Sequence, residues 1–309
     1  MNFETFIFHL LPLYGLIALG YMVGKTQDLD VKPIATLMLY AVLPVVMFGA
    51  TATMDFTVEY FLPPFIIASI CIIASCTVYF GSGQVWGRDD KRHNLLGMLG
   101  VSANATYFGL PVAMAVAGDE WLSVYMVMCL PLFILDCTLS YYFAARGDFT
   151  VRESLERVAK LPIIYGAILG GIVNIFGFEL SDSLFEYWTR FTGTMVVLGM
   201  IMIGAALAQM DRLRFDWSFF TGVAILRYLI WPILGMTWVF IDLNILHMLP
   251  ATVHTLIILI CACPLAANNV AYAAKLDLYP ALTAMMVMIT TCIAIAFIPL
   301  MLWLQTLLF

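Results

Sequence analysis

The chain has 309 residues, 63% of them hydrophobic and 11% charged, with mean hydropathy +0.98 and a formal net charge of −6. Soluble domains carry about 25% charged residues, so a soluble globular domain is excluded, and no basic cluster offers a surface for nucleic acid. A helical membrane protein remains, each span needing about 20 apolar residues to cross a hydrocarbon core about 30 Å thick.

Apolar blocks between charged or Gly/Pro-rich breaks predict ten spans, at about 6–24, 34–54, 61–86, 94–117, 121–144, 161–178, 191–209, 218–241, 250–274 and 280–306. The opening MNFETFIFH lacks a basic n-region and runs on as a full span, so no cleavable signal peptide is expected. The loops after spans 1, 3, 5, 7 and 9 hold every lysine and arginine except Arg190 and Arg227. The opposite loops carry Asp119, Glu120, Glu179, Asp182 and Glu186. Basic loops stay cytoplasmic, which puts both termini on the outer side of a plasma (inner) membrane. The loop RGDFTVRESLERVAK between spans 5 and 6 has Thr150 and Glu153 at capping-box spacing, marking a short surface helix. The seven cysteines all fall inside predicted spans and read as small packing residues; neither Cys261-x-Cys263 nor any other cluster has metal-site support.

Five spans on each side of that loop divide the chain into a five-helix half (1–144), a linker helix (145–160) and a second five-helix half (161–309). An odd number of spans per half inverts the second copy. LLPLYGLIALG in span 1 aligns with KLPIIYGAILG in span 6, matching Pro12 with Pro162 and Gly20 with Gly170; Met47 and Gly49 echo Met202 and Gly204. Span 4 contains Asn104-Ala-Thr-Tyr107-Phe-Gly109-Leu-Pro111, and span 9 contains CPLAANNVAYA, with Pro264, Asn268 and Asn269. Proline removes a backbone donor and crowds the preceding turn, and backbone groups so freed cannot face lipid. The breaks are expected at Gly109, Pro111 and Pro264, with the second half-helices starting at the two prolines. Interrupted helices at matching places of an inverted pair point to a secondary transporter, and half-helix N-termini near the midplane suit an anion.

At these residues the chain resembles the auxin efflux carrier family, which includes plant auxin exporters and bacterial permeases for malate, malonate and similar acids. The motif in span 4 is similar to that family's Asn-x-x-x-x-Gly-x-Pro break, and the ten-span layout fits along the whole chain. The resemblance implies a fold like that of the bile-acid sodium symporters, with broken, crossing helices 4 and 9. Spans 1, 2, 6 and 7 would form a scaffold, and spans 3–5 and 8–10 a moving transport domain. It implies that Asn104 binds the substrate carboxylate, with Tyr107 beside it and Asn268 or Asn269 as the second contact, and that a homodimer is reasonable. The long central hydrophilic loop of many plant members is missing here, which points away from phosphorylation control and from auxin itself.

Asp136 and Arg227 lie well inside spans 5 and 8, where each costs about 2.5–3.5 kcal/mol without a partner. Their similar depth predicts a pair, either a fixed salt bridge or a protonation switch; Arg227 could instead snorkel to the surface. His254 is a weaker proton candidate. No cofactor is expected beyond coupling to H+ or Na+. An intramembrane enzyme is disfavoured: no HExxH or G-x-S-x-G frame and no Gly-rich phosphate loop occur. The expected function is thus elevator-type secondary transport of a small organic mono- or dicarboxylate. The alternatives are a sodium-coupled carrier of another solute, a channel or a membrane sensor.

Overall fold

The computed structural model describes residues 3–27, 29–53, 62–118, 121–178, 180–209 and 215–308. The side chains of 3–11, 13, 107, 111, 122 and 123 fall outside the description. Sequence expectations for Asp119, Glu120, Glu179, Arg212 and Arg214, and for the side chains of Tyr107 and Pro111, therefore lie outside the described residues.

The described elements are all helical. In chain order they are α1 (Phe3–Gln27), α2 (Val31–Ala52), α3 (Leu62–Val85), α4 (Lys91–Val101), α5 (105–117) and α6 (Val124–Ala145). They continue with α7 (Val151–Ala159), α8 (Pro162–Ile175), α9 (Asp182–Ala208), α10 (Trp217–Leu246), α11 (Ala251–Ala262), α12 (Asn268–Lys275) and α13 (Pro280–Leu308). Six of these, α2, α3, α6, α9, α10 and α13, are long and apolar enough to cross a membrane; α7 and α8, bent by 50° at their junction, make a seventh if taken together. Large apolar side chains such as Phe80, Ile168 and Trp303 stay exposed on them, as a lipid-facing surface requires. The chain is a multi-pass helical membrane protein. Predicted spans 4 and 9 fall outside the long set because each is split, into α4 and α5 and into α11 and α12, around non-helical residues 102–104 and 263–267.

Lipid tails are as apolar as leucine, so close van der Waals approach has to hold the helices together. Glycines provide it at two crossings. On α1, Gly20 meets the backbone of Ile201 on α9, and Gly204 of α9 meets the backbone around Ile17. On α8, Gly166 and Gly170 lie against the backbones of Pro44 and Phe48 on α2. A Cβ at any of these would overlap main-chain atoms, which cannot swing away. α1 packs on α9 and α8 on α2; α9 also packs on α2, and these two reach α13 and α12 in turn.

Polar contacts at one end of the bundle tie five loops together. Lys32 pairs with Asp277 at 2.7 Å, Lys91 with Asp148, and Arg92 with Asp216 at 2.9 Å, while Gln209 Nε2 donates to the Leu29 carbonyl. The loops after predicted spans 1, 3, 5, 7 and 9 therefore share that end. The capping box before α7 is formed in both directions between Thr150 and Glu153.

Three helices widen into a π turn before a proline: Met38–Val42 before Pro44, Ala105–Gly109 before Pro111, and Leu226–Ile230 before Pro232. A proline has no N–H to donate, and the rings of Pro44 and Pro232 crowd the carbonyl four residues back, so the turn ahead opens. Here the sequence expectation is corrected. Gly109 and Pro111 do not break the span and Pro111 does not start its second half; helix is already running from Ala105.

Candidate functional site: the meeting of two interrupted helices

The two interruptions bond directly to each other. The Asn104 amide donates to the Pro264 carbonyl at 2.8 Å. Asn104's own carbonyl then accepts from Phe108 and Gly109, starting α5. Across the gap, Leu265 N–H donates to Thr290 Oγ1 at 3.3 Å, and Asn269 Nδ2 donates to Ser102 Oγ at 2.8 Å. Gly109 has a packing role instead of a breaking one. A Cβ there would overlap the Tyr125 hydroxyl and Cys263 Sγ, and that hydroxyl donates to the Ala105 carbonyl at 2.8 Å.

α4 and α11 end at the interruptions, presenting carbonyls that no further helical turn can use. α10 supplies the donors. Both Nη atoms of Arg227 are engaged, one with the Cys263 carbonyl and the other, at 3.5 Å, with that of Ser102. Four residues on, Trp231 Nε1 donates to the Gly100 carbonyl at 3.1 Å, and its ring lies 4.3 Å beneath the guanidinium. One buried cation thus caps both half-helices, where a positive charge offsets the negative ends of their dipoles.

Asp136 has a different setting. It lies 6% exposed in a π turn, Asp136–Ser140, of α6. Its Oδ2 accepts from the Tyr272 hydroxyl at 3.2 Å, with Ser102, Ser140 and Asn268 around the carboxyl. Its Oδ1 has no hydrogen-bond partner, and neither has Oδ1 of the equally buried Asn104. Both residues line a cavity of about 20 Å³ with Ser102, Thr106, Cys129, Phe133 and Asn268. That volume holds about one water.

Asp136 and Arg227 do not pair, which corrects the sequence expectation. The residues opposite each explain why: Arg227 is drawn to the carbonyl ends of α4 and α11, and Asp136 to Tyr272 of α12. Nor does Arg227 snorkel, being 1% exposed. Of the two span 9 asparagines, Asn268 lines the cavity and Asn269, fully buried, bridges to Ser102. His254 stands apart from the cavity, bonded through Nε2 to Asp242 Oδ2 at 2.8 Å. That carboxylate also accepts from the amides of Met248 and Leu249, fixing the turn between α10 and α11. Sequence reasoning missed Asp242 because it reads as a loop residue. It missed Ser102, Tyr125 and Tyr272 because a hydroxyl in an apolar span carries no signal until its partner is placed. All seven cysteines are free, and among the described residues no cluster of three His, Cys, Asp or Glu could hold a metal.

No family model matches the chain. It is similar to an uncharacterized transporter of Methanocaldococcus jannaschii, 22% identical over 232 residues that cover 72% of this chain and 75% of that one. Fold and similarity together define a multi-pass membrane transporter.

Proposed function

We propose that the chain is a secondary carrier of a small organic anion, a mono- or dicarboxylate of the malate or malonate kind, working by elevator-type alternating access. The observation that carries this reading is the direct bonding of two interrupted helices around a polar cavity buried in an apolar bundle. Such polar backbone is tolerated at membrane depth only where it is enclosed by protein or lines a cavity. α5 and α12 both begin at the cavity, and their N-terminal amides favour a carboxylate. Asn104 and Asn268 would hydrogen-bond the acid, with Tyr107 beside them. Asn269, Gly109, Pro111 and Pro264 would keep the crossing in shape.

In this reading α1, α2, α8 and α9 are the scaffold and the remaining spans move against it. The pairings α1 with α9 and α2 with α8 exchange equivalent helices between the halves, as an inverted repeat of five-helix units would, and the shared end of the five basic loops fits ten crossings with both termini outside. A cavity sized for one water must open to admit an acid, which alternating access provides. Asp136 adds a condition. Two negative charges about 5 Å apart repel by about 3 kcal/mol at an effective dielectric of about 20, so the acid enters once Asp136 has taken a proton or sodium ion.

The test is uptake of malate, malonate and indole-acetate into proteoliposomes by wild type and Asn104→Ala. Saturable uptake of one acid, reduced at least tenfold in the variant, supports the reading. No uptake of any acid by folded protein refutes it and favours a sensor, a channel or a sodium-coupled carrier of another solute.

A further inference from the structure

A second polar cavity, of about 200 Å³, lies away from the crossing, at the end of the bundle where the basic loops meet. Tyr79, Phe80 and Gly83 of α3 line it, with Arg88 of the following turn, His93 and Asn94 of α4, and Arg146 at the end of α6. Its charge is unbalanced. Of the acids nearby in sequence, Asp90 pairs with Arg92 and Asp148 with Lys91, and Asp89 is exposed outside the cavity lining. Arg88 makes no ion pair among the described residues, and Arg146 donates only to the Phe149 carbonyl, at 2.5 Å. No carboxylate lines the cavity.

Its floor carries an unmet polar group. His93 is 4% exposed; its Nε2 lies 3.0 Å from both the Arg88 carbonyl and Asn94 Nδ2, while its Nδ1 has no partner. Nδ1 faces the cavity wall at Gly83, where an added Cβ would lie 3.7 Å from it and 3.7 Å from Arg88 Cγ. Nε2 meets a carbonyl that can only accept and an amide that can donate, so these two contacts do not fix which ring nitrogen carries the proton. Two arginines line this one space, and guanidiniums bind phosphate oxygens through paired N–H groups.

We infer that this cavity binds a phosphate monoanion, supplied by the headgroup of an anionic phospholipid. The lipid source is argued from α3 itself. Ile73 and Phe80, seven residues apart and so on one face, are 45% and 61% exposed. They form an apolar path along the helix that ends at the cavity, where an acyl chain can lie while its phosphate reaches Arg88, Arg146 and His93. Basic pockets at the ends of membrane helices recognise headgroups in this way.

The test is native mass spectrometry of the full chain with phosphatidylglycerol, phosphatidylcholine or inorganic phosphate. It compares wild type, Arg88→Gln/Arg146→Gln and Gly83→Leu. The last variant fills the cavity and keeps every charge, so it stands even if the arginine variant folds poorly. The expected result is phosphatidylglycerol held at least tenfold more tightly than phosphatidylcholine by wild type, with that preference lost in Gly83→Leu. Inorganic phosphate that binds and displaces the lipid with the same dependence would confirm the phosphate site and make the free ion its ligand. An unchanged preference in Gly83→Leu would overturn the inference, because charge at the surface would then suffice without the cavity.

Discussion

Arg227 and Asp136 are both buried in π turns of apolar helices, and each leaves one buried polar atom, Arg227 Nε and Asp136 Oδ1, without a hydrogen-bond partner, yet their neighbours differ. Arg227 spends its two Nη atoms on the carbonyls of Ser102 and Cys263, and Trp231 beside it takes the carbonyl of Gly100. Asp136 bonds one oxygen to Tyr272, and its other oxygen is buried with no hydrogen-bond partner. An unpartnered buried oxygen costs stability, about 1–3 kcal/mol or more when charged. The contrast teaches that intramembrane charge alone does not mark function; what differs is the neighbour, the carbonyl ends of two half-helices for Arg227 and the cavity lining for Asp136. The arginine bonds to both interruptions, and the aspartate is the group that we propose takes the coupling cation.

The sharpest way to break this comparison is to exchange the expected phenotypes. Arg227→Leu strands the carbonyl ends of α4 and α11, each unsatisfied acceptor costing about 1–3 kcal/mol, and the loss is read as a lower thermal midpoint in detergent. Asp136→Asn keeps size and the contact with Tyr272, so its midpoint should stay within about 1 kcal/mol of wild type while transport driven by a cation gradient is lost. Equal destabilisation by both would erase the distinction.

Packing around the crossing allows a smaller test. Gly109→Ala puts a Cβ into the Tyr125 hydroxyl and Cys263 Sγ, and overpacking of this kind costs about 1–3 kcal/mol. Much of that cost should be recovered in Gly109→Ala/Tyr125→Phe, because the overlapping oxygen is gone. A strictly additive double variant would place the strain elsewhere.

The least effect is expected at the basic end. Arg92 beside Asp90 holds that carboxyl below its usual range, against the opposing effect of burial. A lowered folded-state value means the contribution is present above the ordinary carboxyl range of about 3.9 and is lost as pH falls through the lowered value. Asp90→Asn should therefore flatten the acid limb of stability, with a change of under about 1 kcal/mol at neutral pH, seen in midpoints measured from pH 7 down to about 3.

Sequence went furthest where physics acts locally. Hydropathy alone gave the membrane class, and the spacing of Thr150 and Glu153 gave the cap of α7. The motif NATYFGLP drew attention to the right neighbourhood, but the opening lies at 102–104, ahead of the glycine and proline. Pro111 lies just past the widened turn 105–109 and lacks the N–H that would take up a carbonyl there. The partner of Arg227 could not be read at all, because backbone carbonyls belong to every residue and leave no mark in the sequence. Similar depth suggested Asp136 instead, and depth is not direction.

The most direct measurement is concentrative uptake of malate or malonate against its own gradient in proteoliposomes, beside counterflow exchange, for wild type and Asp136→Asn. The account expects wild type to do both, and the variant to keep counterflow while losing concentrative uptake. Full concentrative uptake by Asp136→Asn would contradict it, since the buried carboxylate would then have no part in the transport cycle.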